Sequence, residues 1–282
     1  MKLPAGLIAI VLLFSLAFCY APQSQRKVRS ESGIRIAYIG NMGVLVASDT
    51  QAVLFDGLHE FYGKEYDYPS EKTVQQLQEG NYQDFPKVKA LFYSHMHGDH
   101  FSPALTHAFL KANPTTCLFG SSQILDTLAV LDSLNILQNQ SDSIPFDEQV
   151  HVIEPNGFEL EGFALPHASP GRHIEILNIG FLVDLDGFRL LHLGDTDWEE
   201  AEPKLEAFAI AKRQIDVAII PYWMLLKTGS AALVDRLINP KMLLATHIPP
   251  DASEEDLKEI ESQYPGCSAL HEQNNILAFP VK

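Results

Sequence analysis

The sequence predicts an α/β protein built in layers, two β-sheets packed together with helices outside them. Three observations predict it. Short apolar runs of strand character open each half of the chain, and helical patterns follow them. A hydrophobic content of 46% and a charged content of 20% are those of an ordinary folded domain, and 282 residues are enough to bury a large core. Ligand-type polar side chains also stand directly after several of the apolar runs, as they do where strand ends share one site.

The elements follow in order. Ile34–Ile39, Val44–Ala47 and Ala52–Phe55 are short runs punctuated by Gly and Asn, an antiparallel meander that Asp56-Gly57 ends in a turn. His59–Tyr68 is aromatic and acidic without periodicity, and reads as a loop. Ser70–Gly80 is helical in pattern and is stopped by Gly80-Asn81. Strand Val88–Ser94 precedes a helix start at Ser102-Pro103, with Ser as cap and Pro at the first helical position. The helix runs over Pro103–Asn113. Strand Thr116–Phe119 and helix Ser121–Leu131 come next. The second half repeats the theme with strands Val150–Ile153, Phe158–Leu165, Ile176–Asp184 and Phe188–Leu193. A helix over Glu199–Ala211, strand Val217–Ile220, helix Ser230–Ile238, strand Met242–Ala245, helix Glu254–Tyr264 and strand Asn275–Phe279 complete it.

The N-terminus is a separate element. Residues 7–19 are almost wholly apolar after a basic Met1-Lys2 start, too short to span a bilayer comfortably and of the length of a secretory signal. Ala17-x-Cys19 places small residues for cleavage before Tyr20. Leu16-Ala17-Phe18-Cys19 has the outline of a lipoprotein box, but Phe18 is too large for it, so soluble export is the preferred expectation. Residues 1–19 are thus expected to be a signal peptide, 20–32 a polar linker and 33–282 the folded domain. The expected location is periplasmic or extracellular, with membrane contact only if the N-terminus is lipidated or uncleaved. Cys117 and Cys267 remain after processing; a disulfide between them is open.

The formal net charge is −16. That argues against a polyanionic partner such as nucleic acid, which needs Lys and Arg to neutralise phosphates, although the charge can equally serve solubility alone. A small-molecule substrate remains compatible with it.

The most informative stretch is His95-Met96-His97-Gly98-Asp99-His100. Three imidazoles and a carboxylate within six residues are costly to bury unsatisfied, and imidazole and carboxylate are standard ligands of zinc and related divalent ions. The spacing offers ligands to two adjacent ions. Three further strand ends carry the same chemistry: Phe158–Leu165 runs into His167, Phe188–Leu193 into Asp195, and Met242–Ala245 into His247.

This set, H-x-H-x-D-H followed by His167, Asp195 and His247 in order, resembles the metallo-β-lactamase superfamily over about residues 33–282. The resemblance implies a four-layered αβ/βα sandwich with a two-metal site at one edge of the sheets. It implies that His95, His97 and His167 hold one ion, that Asp99, His100 and His247 hold the other, and that Asp195 bridges them. The expected cofactor is two Zn2+, with Mn2+ or Fe2+ also open. Asp195 stands where some β-lactamases of the family place Cys, so the site is closer to the dinuclear hydrolases. Within them, the all-His/Asp set and the H-x-H-G-D-H-F context lean towards the branch with ascorbate-phosphate lactonases and N-acyl-phosphatidylethanolamine phospholipase D.

The chemistry follows. Two ions about 3.5–4 Å apart can hold a bridging hydroxide at neutral pH, which attacks an ester, lactone, amide or phosphodiester bond. Asp99 can orient that nucleophile or carry a proton. β-Lactamase activity is not implied by the fold. A non-catalytic metal-binding or sensory protein of the same fold is the alternative, which the complete ligand set disfavours. A di-iron redox centre is disfavoured because such members typically carry Glu where His97 stands.

Other residues keep two readings. Asp56 either orients an imidazole from behind or is a turn residue. His59, Tyr62 and Tyr66 either line a substrate flap or form a surface loop. Arg172 and His173 either meet a substrate anion or lie in a solvated turn. Tyr222 and Trp223 either wall a pocket or pack in the core, Trp198 shapes a rim, and His192 sits in the core or behind a ligand. His107, His151 and His271 are expected to be exposed.

Overall fold

The computed structural model describes residues 33–133, 135–155, 157–273 and 275–280; the signal and linker expectations lie outside them. Two seven-stranded sheets face one another. The first comprises β1 (Gly33–Gly40), β2 (Gly43–Ala47), β3 (Ala52–Phe55), β4 (Val88–Phe92), β5 (Cys117–Gly120) and β6 (Ser141–Ser143), closed by β14 (Ile276–Pro280) beside β1. The second runs β7 (Val150–Ile153), β8 (Glu159–Ala164), β9 (Ile179–Leu185), β10 (Phe188–His192), β11 (Val217–Pro221), β12 (Met242–Thr246) and β13 (Ser268–Ala269) in spatial order. The opening strands pair as the predicted antiparallel meander, and β3, β4 and β5 then run parallel.

The sheets are amphipathic on two scales. One face of each meets the other through Ile34, Ile36, Val44, Phe55 and Phe92 on the first sheet and Leu160, Phe181, Leu190, Val217 and Ile219 on the second. Phe55, Phe92 and Phe119 stack across neighbouring strands at 4.7 and 5.3 Å between ring centroids, adding to the burial of each ring. The opposite face of the first sheet is covered by α1 (Glu71–Glu79), α2 (Pro103–Ala112) and α3 (Ser122–Ala129), through Leu77, Phe109, Leu110, Ile124 and Leu128. A short α4 (Leu137–Gln140) follows. On the second sheet, after a single turn α5 (Pro170–His173), the covering helices are α6 (Trp198–Ala207), α7 (Tyr222–Leu225), α8 (Ser230–Leu237) and α9 (Glu254–Gln263). The result is the predicted four-layered sandwich. No described helix is long and apolar enough to cross a membrane.

Local signals set the helix ends. Ser70 caps α1 by accepting the Thr73 N–H, and Gly80 closes it in the left-handed region at φ 69°. Ser102 caps α2 through the Leu105 N–H, and Ser253 with Asp256 forms a capping box on α9. Two boundaries differ from expectation by three or four residues, the others by no more than two. The predicted strand Ile176–Asp184 starts at Ile179, and just before it the Leu177 N–H is taken by the Gln123 side chain. The predicted helix Glu199–Ala211 ends at Ala207, since Ala209 is left-handed at φ 53° and opens a 3-10 turn over Ile210–Arg213.

Candidate metal centre

β4, β8, β10 and β12 deliver their following turns to one edge of the sandwich. β8 and β10 both run antiparallel to β9, and β10, β11 and β12 are mutually parallel, so the three second-sheet turns emerge on one side. The turn after β4 meets them. All seven predicted ligands converge there. Their donor atoms form two groups, His95–His97–His167 and Asp99–His100–Asp195–His247, with the atoms of each within 4.8 Å of one another. Every member but His97 is buried.

The contacts inside the groups are those of side chains sharing a centre. His95 Nε2 lies 2.9 Å from His97 Nδ1. His247 Nε2 lies 3.2 Å from both Asp99 Oδ2 and Asp195 Oδ2, and His100 Nε2 lies 3.4 Å from the same two oxygens. Asp195 Oδ2 also lies 4.0 Å from His167 Nε2 in the other group, so it faces both.

The tautomers are set from behind. Asp56 Oδ2 accepts a hydrogen bond from His100 Nδ1 at 3.0 Å and another from Ser94 Oγ at 2.6 Å. Ser94 Oγ in turn accepts from His95 Nδ1 at 3.0 Å, and His167 Nδ1 donates to the Ala168 carbonyl at 2.7 Å. Each bond puts the ring proton on Nδ1 and leaves the Nε2 lone pair facing the centre, which is what an imidazole ligand requires. Asp56 therefore does both things proposed for it: it turns the chain, at φ 42°, and it orients imidazoles.

These residues fit a pair of divalent ions. His167 Nε2 and Asp195 Oδ1 are buried without a hydrogen-bond partner among the described residues, a costly arrangement in a low-dielectric interior unless a cation meets them. Burial, and then the neighbouring His100, pushes His95 well below the ordinary imidazole range. Burial, and then His167, pushes His97 down to about 4. Both are thus neutral and able to ligate. Burial opposes the charge on His247, yet Asp195 draws it up to about 9. Burial likewise opposes the Asp195 carboxylate, and His247 and His100 hold it well below its usual range. The second group is thus built around negative charge.

Sequence reasoning missed three supporting residues. Asn41, left-handed at φ 50° in the β1–β2 turn, donates through Nδ2 to Asp99 Oδ2 at 2.9 Å and to the Asp99 carbonyl at 3.2 Å, and its carbonyl accepts the His247 N–H at 3.0 Å. Ser94 is the relay just described. Asn178, fully buried, donates to the Leu165 and Leu193 carbonyls and accepts the Asp195 N–H at 3.1 Å. It thereby ties the turns of His167 and Asp195 together. A polar residue isolated in an apolar run was the available signal for Asn178.

Gly194 explains why that packing is tight. Its φ is +62°, and a Cβ there would stand 2.2 Å from Asn178 Oδ1 and 2.6 Å from Ser94 Cβ. Gly194→Ala is expected to lower stability by about 3 kcal/mol, from the left-handed conformation and overpacking together. A denaturant-unfolding midpoint unchanged from wild type would contradict this.

The surrounding residues sort as follows. Tyr66 meets the His247 ring edge-on at 5.4 Å and Trp223 does so at 4.8 Å. Tyr62 lies over Gly98, where a Cβ would come within 2.5 Å of its ring. Tyr62 and Tyr66 thus form the flap, and Trp223 a wall. His59 does not: it is buried, donating from Nε2 to the Gly40 carbonyl at 3.3 Å. Trp198 is no rim residue either, being buried with Nε1 bonded to the Met224 carbonyl at 2.7 Å. His173 packs on His97 and His167 at 5.0 and 4.6 Å, while Arg172 is exposed. His192 is a core residue that stacks on Phe55 at 5.2 Å and donates to the Met42 carbonyl. His271 is exposed as expected, whereas His107 and His151 are half-buried beside Asp132 and Asp147. Cys117 and Cys267 are unpaired.

A family model for the beta-lactamase superfamily domain matches residues 51–248. None of the curated proteins matches. Several solved structures share the fold. Igni18, a metallo hydrolase from the archaeon Ignicoccus hospitalis, is 19% identical with a TM-score of 0.60, covering 89% of this chain and 100% of that one. YhfI, a metallo-beta-lactamase fold protein from Bacillus subtilis, is 14% identical with a TM-score of 0.57, covering 88% and 99%. Zn2+-bound PqqB from Methylobacterium extorquens is 14% identical with a TM-score of 0.54, covering 86% and 99%. With the family model spanning the turns of all seven converging side chains and the metallo-β-lactamase sandwich shared across these structures, the chain belongs to the metallo-β-lactamase superfamily.

Proposed function

We propose that this protein is an exported, dinuclear zinc-dependent hydrolase acting on an ester, lactone, amide or phosphodiester bond of a small molecule. The observation that carries the reading is the pair of ligand-type groups, three of whose imidazoles, His95, His100 and His167, turn Nε2 inward because other residues hold their Nδ1. His95, His97 and His167 would hold one ion, Asp99, His100 and His247 the other, with Asp195 between them. When bound, the two ions supply Lewis acidity towards the electrophile and acidify a water.

The remaining work falls to the chain. Asp99, pinned by Asn41, keeps a carboxylate at the centre where it can orient the attacking water and accept its proton. Tyr66 and Trp223 form aromatic surfaces beside His247, with Tyr62 over Gly98, that exclude water and hold the apolar part of a substrate. The acidic surface, at net charge −16, supports a small substrate rather than nucleic acid. Export rests on the apolar run over residues 7–19.

Metal analysis tests the reading together with turnover of bis-(p-nitrophenyl) phosphate, simple lactones and a chromogenic cephalosporin. About two equivalents of metal per chain are expected. A strong chelator is expected to remove both metal and turnover, and added Zn2+ to restore them. Protein that binds no metal after refolding with zinc, or turnover that survives complete chelation, would overturn it.

A further inference from the structure

Of the seven converging side chains only His97 is not buried, so the centre meets solvent on the side of that ring. Two residues flank it there. Tyr62 lies over Gly98, and His173 sets its ring edge-on to His97 at 5.0 Å and tilted against His167 at 4.6 Å. The His173 nitrogens are not among the donor atoms of either group, and they make no hydrogen bond or ion pair among the described residues. The turn that carries this ring is braced on both sides. Before it, the Ala168 N–H donates to the Asp195 carbonyl at 2.8 Å, and the Ala168 carbonyl accepts His167 Nδ1. Ser169 then takes the left-handed region at φ 57°, a conformation unfavourable for serine, and Pro170 opens the single turn that His173 ends. After it, Gln123 donates to the Glu175 carbonyl at 2.5 Å and accepts the Leu177 N–H at 3.0 Å. The result is a half-buried imidazole, held against two candidate ligands, whose own nitrogens face no protein partner.

We propose that His173 contacts the substrate, donating a ring N–H to a non-bridging oxygen of a phosphodiester, and that it selects phosphodiesters over lactones and amides. This rests on the hydrolase reading of the centre and narrows its substrate class. An imidazole keeps at least one N–H in either protonation state, so the role needs no titration. The number and charge of the acceptor oxygens decide the class. A carbonyl electrophile offers one neutral acceptor oxygen at the reacting carbon. A phosphodiester offers two at phosphorus, and they share a negative charge. A donor outside both groups, beside the one ring of the centre that is not buried, serves the second of those oxygens. A hydrogen bond to a charged oxygen is roughly twice as strong as one to a neutral oxygen, so the same N–H does less for a lactone. Packing alone does not require a nitrogen here, since a phenyl ring would meet His97 and His167 equally well.

Calorimetric titration of the zinc-loaded protein with diphenyl phosphate tests the contact apart from turnover. The kcat/KM values for bis-(p-nitrophenyl) phosphate and δ-valerolactone test the selection. Wild type is expected to bind diphenyl phosphate saturably. His173→Ala should weaken that binding, and lower phosphodiester kcat/KM, by about 10- to 100-fold each. Lactone kcat/KM should fall by no more than about threefold, and metal content should stay as in wild type. His173→Gln keeps an N–H and should recover most of the loss. His173→Phe keeps the ring contacts and should not. The contact is overturned by absence of saturable binding in wild type, by unchanged binding in His173→Ala, or by recovery in His173→Phe but not in His173→Gln. Metal lost from His173→Ala also overturns it, because His173 would then act by holding His97 and His167. Equal losses on both substrates overturn the selection. Binding that follows the expected pattern without turnover of either substrate would sink the hydrolase reading and leave the contact standing. Turnover untouched by all three substitutions would do the reverse.

Discussion

Replacing Asp195 by alanine is expected to cut turnover by more than about 100-fold. The residues that merely orient a metal ligand typically account for 10- to 100-fold in affinity or activity, and Asp195 stands closer than they do. Its Oδ2 is 3.2 Å from His247, 3.4 Å from His100 and 4.0 Å from His167, so it faces both groups of donor atoms at once. If the proposed two-ion centre holds, the loss should show in metal analysis as well as in rate, with content falling from two ions per chain towards one. The turn itself should survive, because Asp195 is held by its backbone N–H on Asn178 and not by its carboxylate. Asp195→Asn separates shape from charge. It keeps the volume and removes the negative charge that His247 and His100 answer, so it should lose nearly as much. A variant with wild-type rate and two bound ions would remove Asp195 from the centre.

What the sequence made legible follows from how far each signal reaches along the chain. The seven converging side chains were legible because each is a rare residue type placed directly after an apolar strand, and strand order brings such positions together. Asn41, Ser94 and Asn178 were not. Asn and Ser are ordinary in turns, and what makes these three matter is a partner 58, 38 and 13–17 residues away. The same limit governed the fold. The apolar strands announced themselves, whereas β6 is Ser-Asp-Ser at a sheet edge, with no apolar residue to mark it. His59 and Trp198 were misplaced for the complementary reason: their burial is set by the elements that close over them, not by their neighbours in sequence.

The second large effect is expected at Asp56, where one buried carboxylate governs imidazoles of both ion groups. It receives His100 Nδ1 directly and orients His95 through Ser94 Oγ, while its other oxygen accepts the Ser94 N–H at 2.8 Å. Asp56→Ala strands the Ser94 N–H and the His100 Nδ1–H in a site whose side chains are fully buried. At 1–3 kcal/mol for each orphaned group, stability should fall by about 3 kcal/mol. Metal affinity should fall by about 10- to 100-fold, since both rings can then turn or change tautomer. Asp56→Asn distinguishes the two effects. Asparagine tolerates the left-handed turn at φ 42° and keeps one acceptor, so most of the stability should return. Its amide donors cannot accept the His100 proton and the Ser94 hydroxyl together, so zinc affinity should stay low. Competition with a chromophoric chelator, run beside a urea melt of the metal-free protein, reads the two quantities separately. Wild-type zinc affinity in both variants would show that these imidazoles are positioned by something other than Asp56.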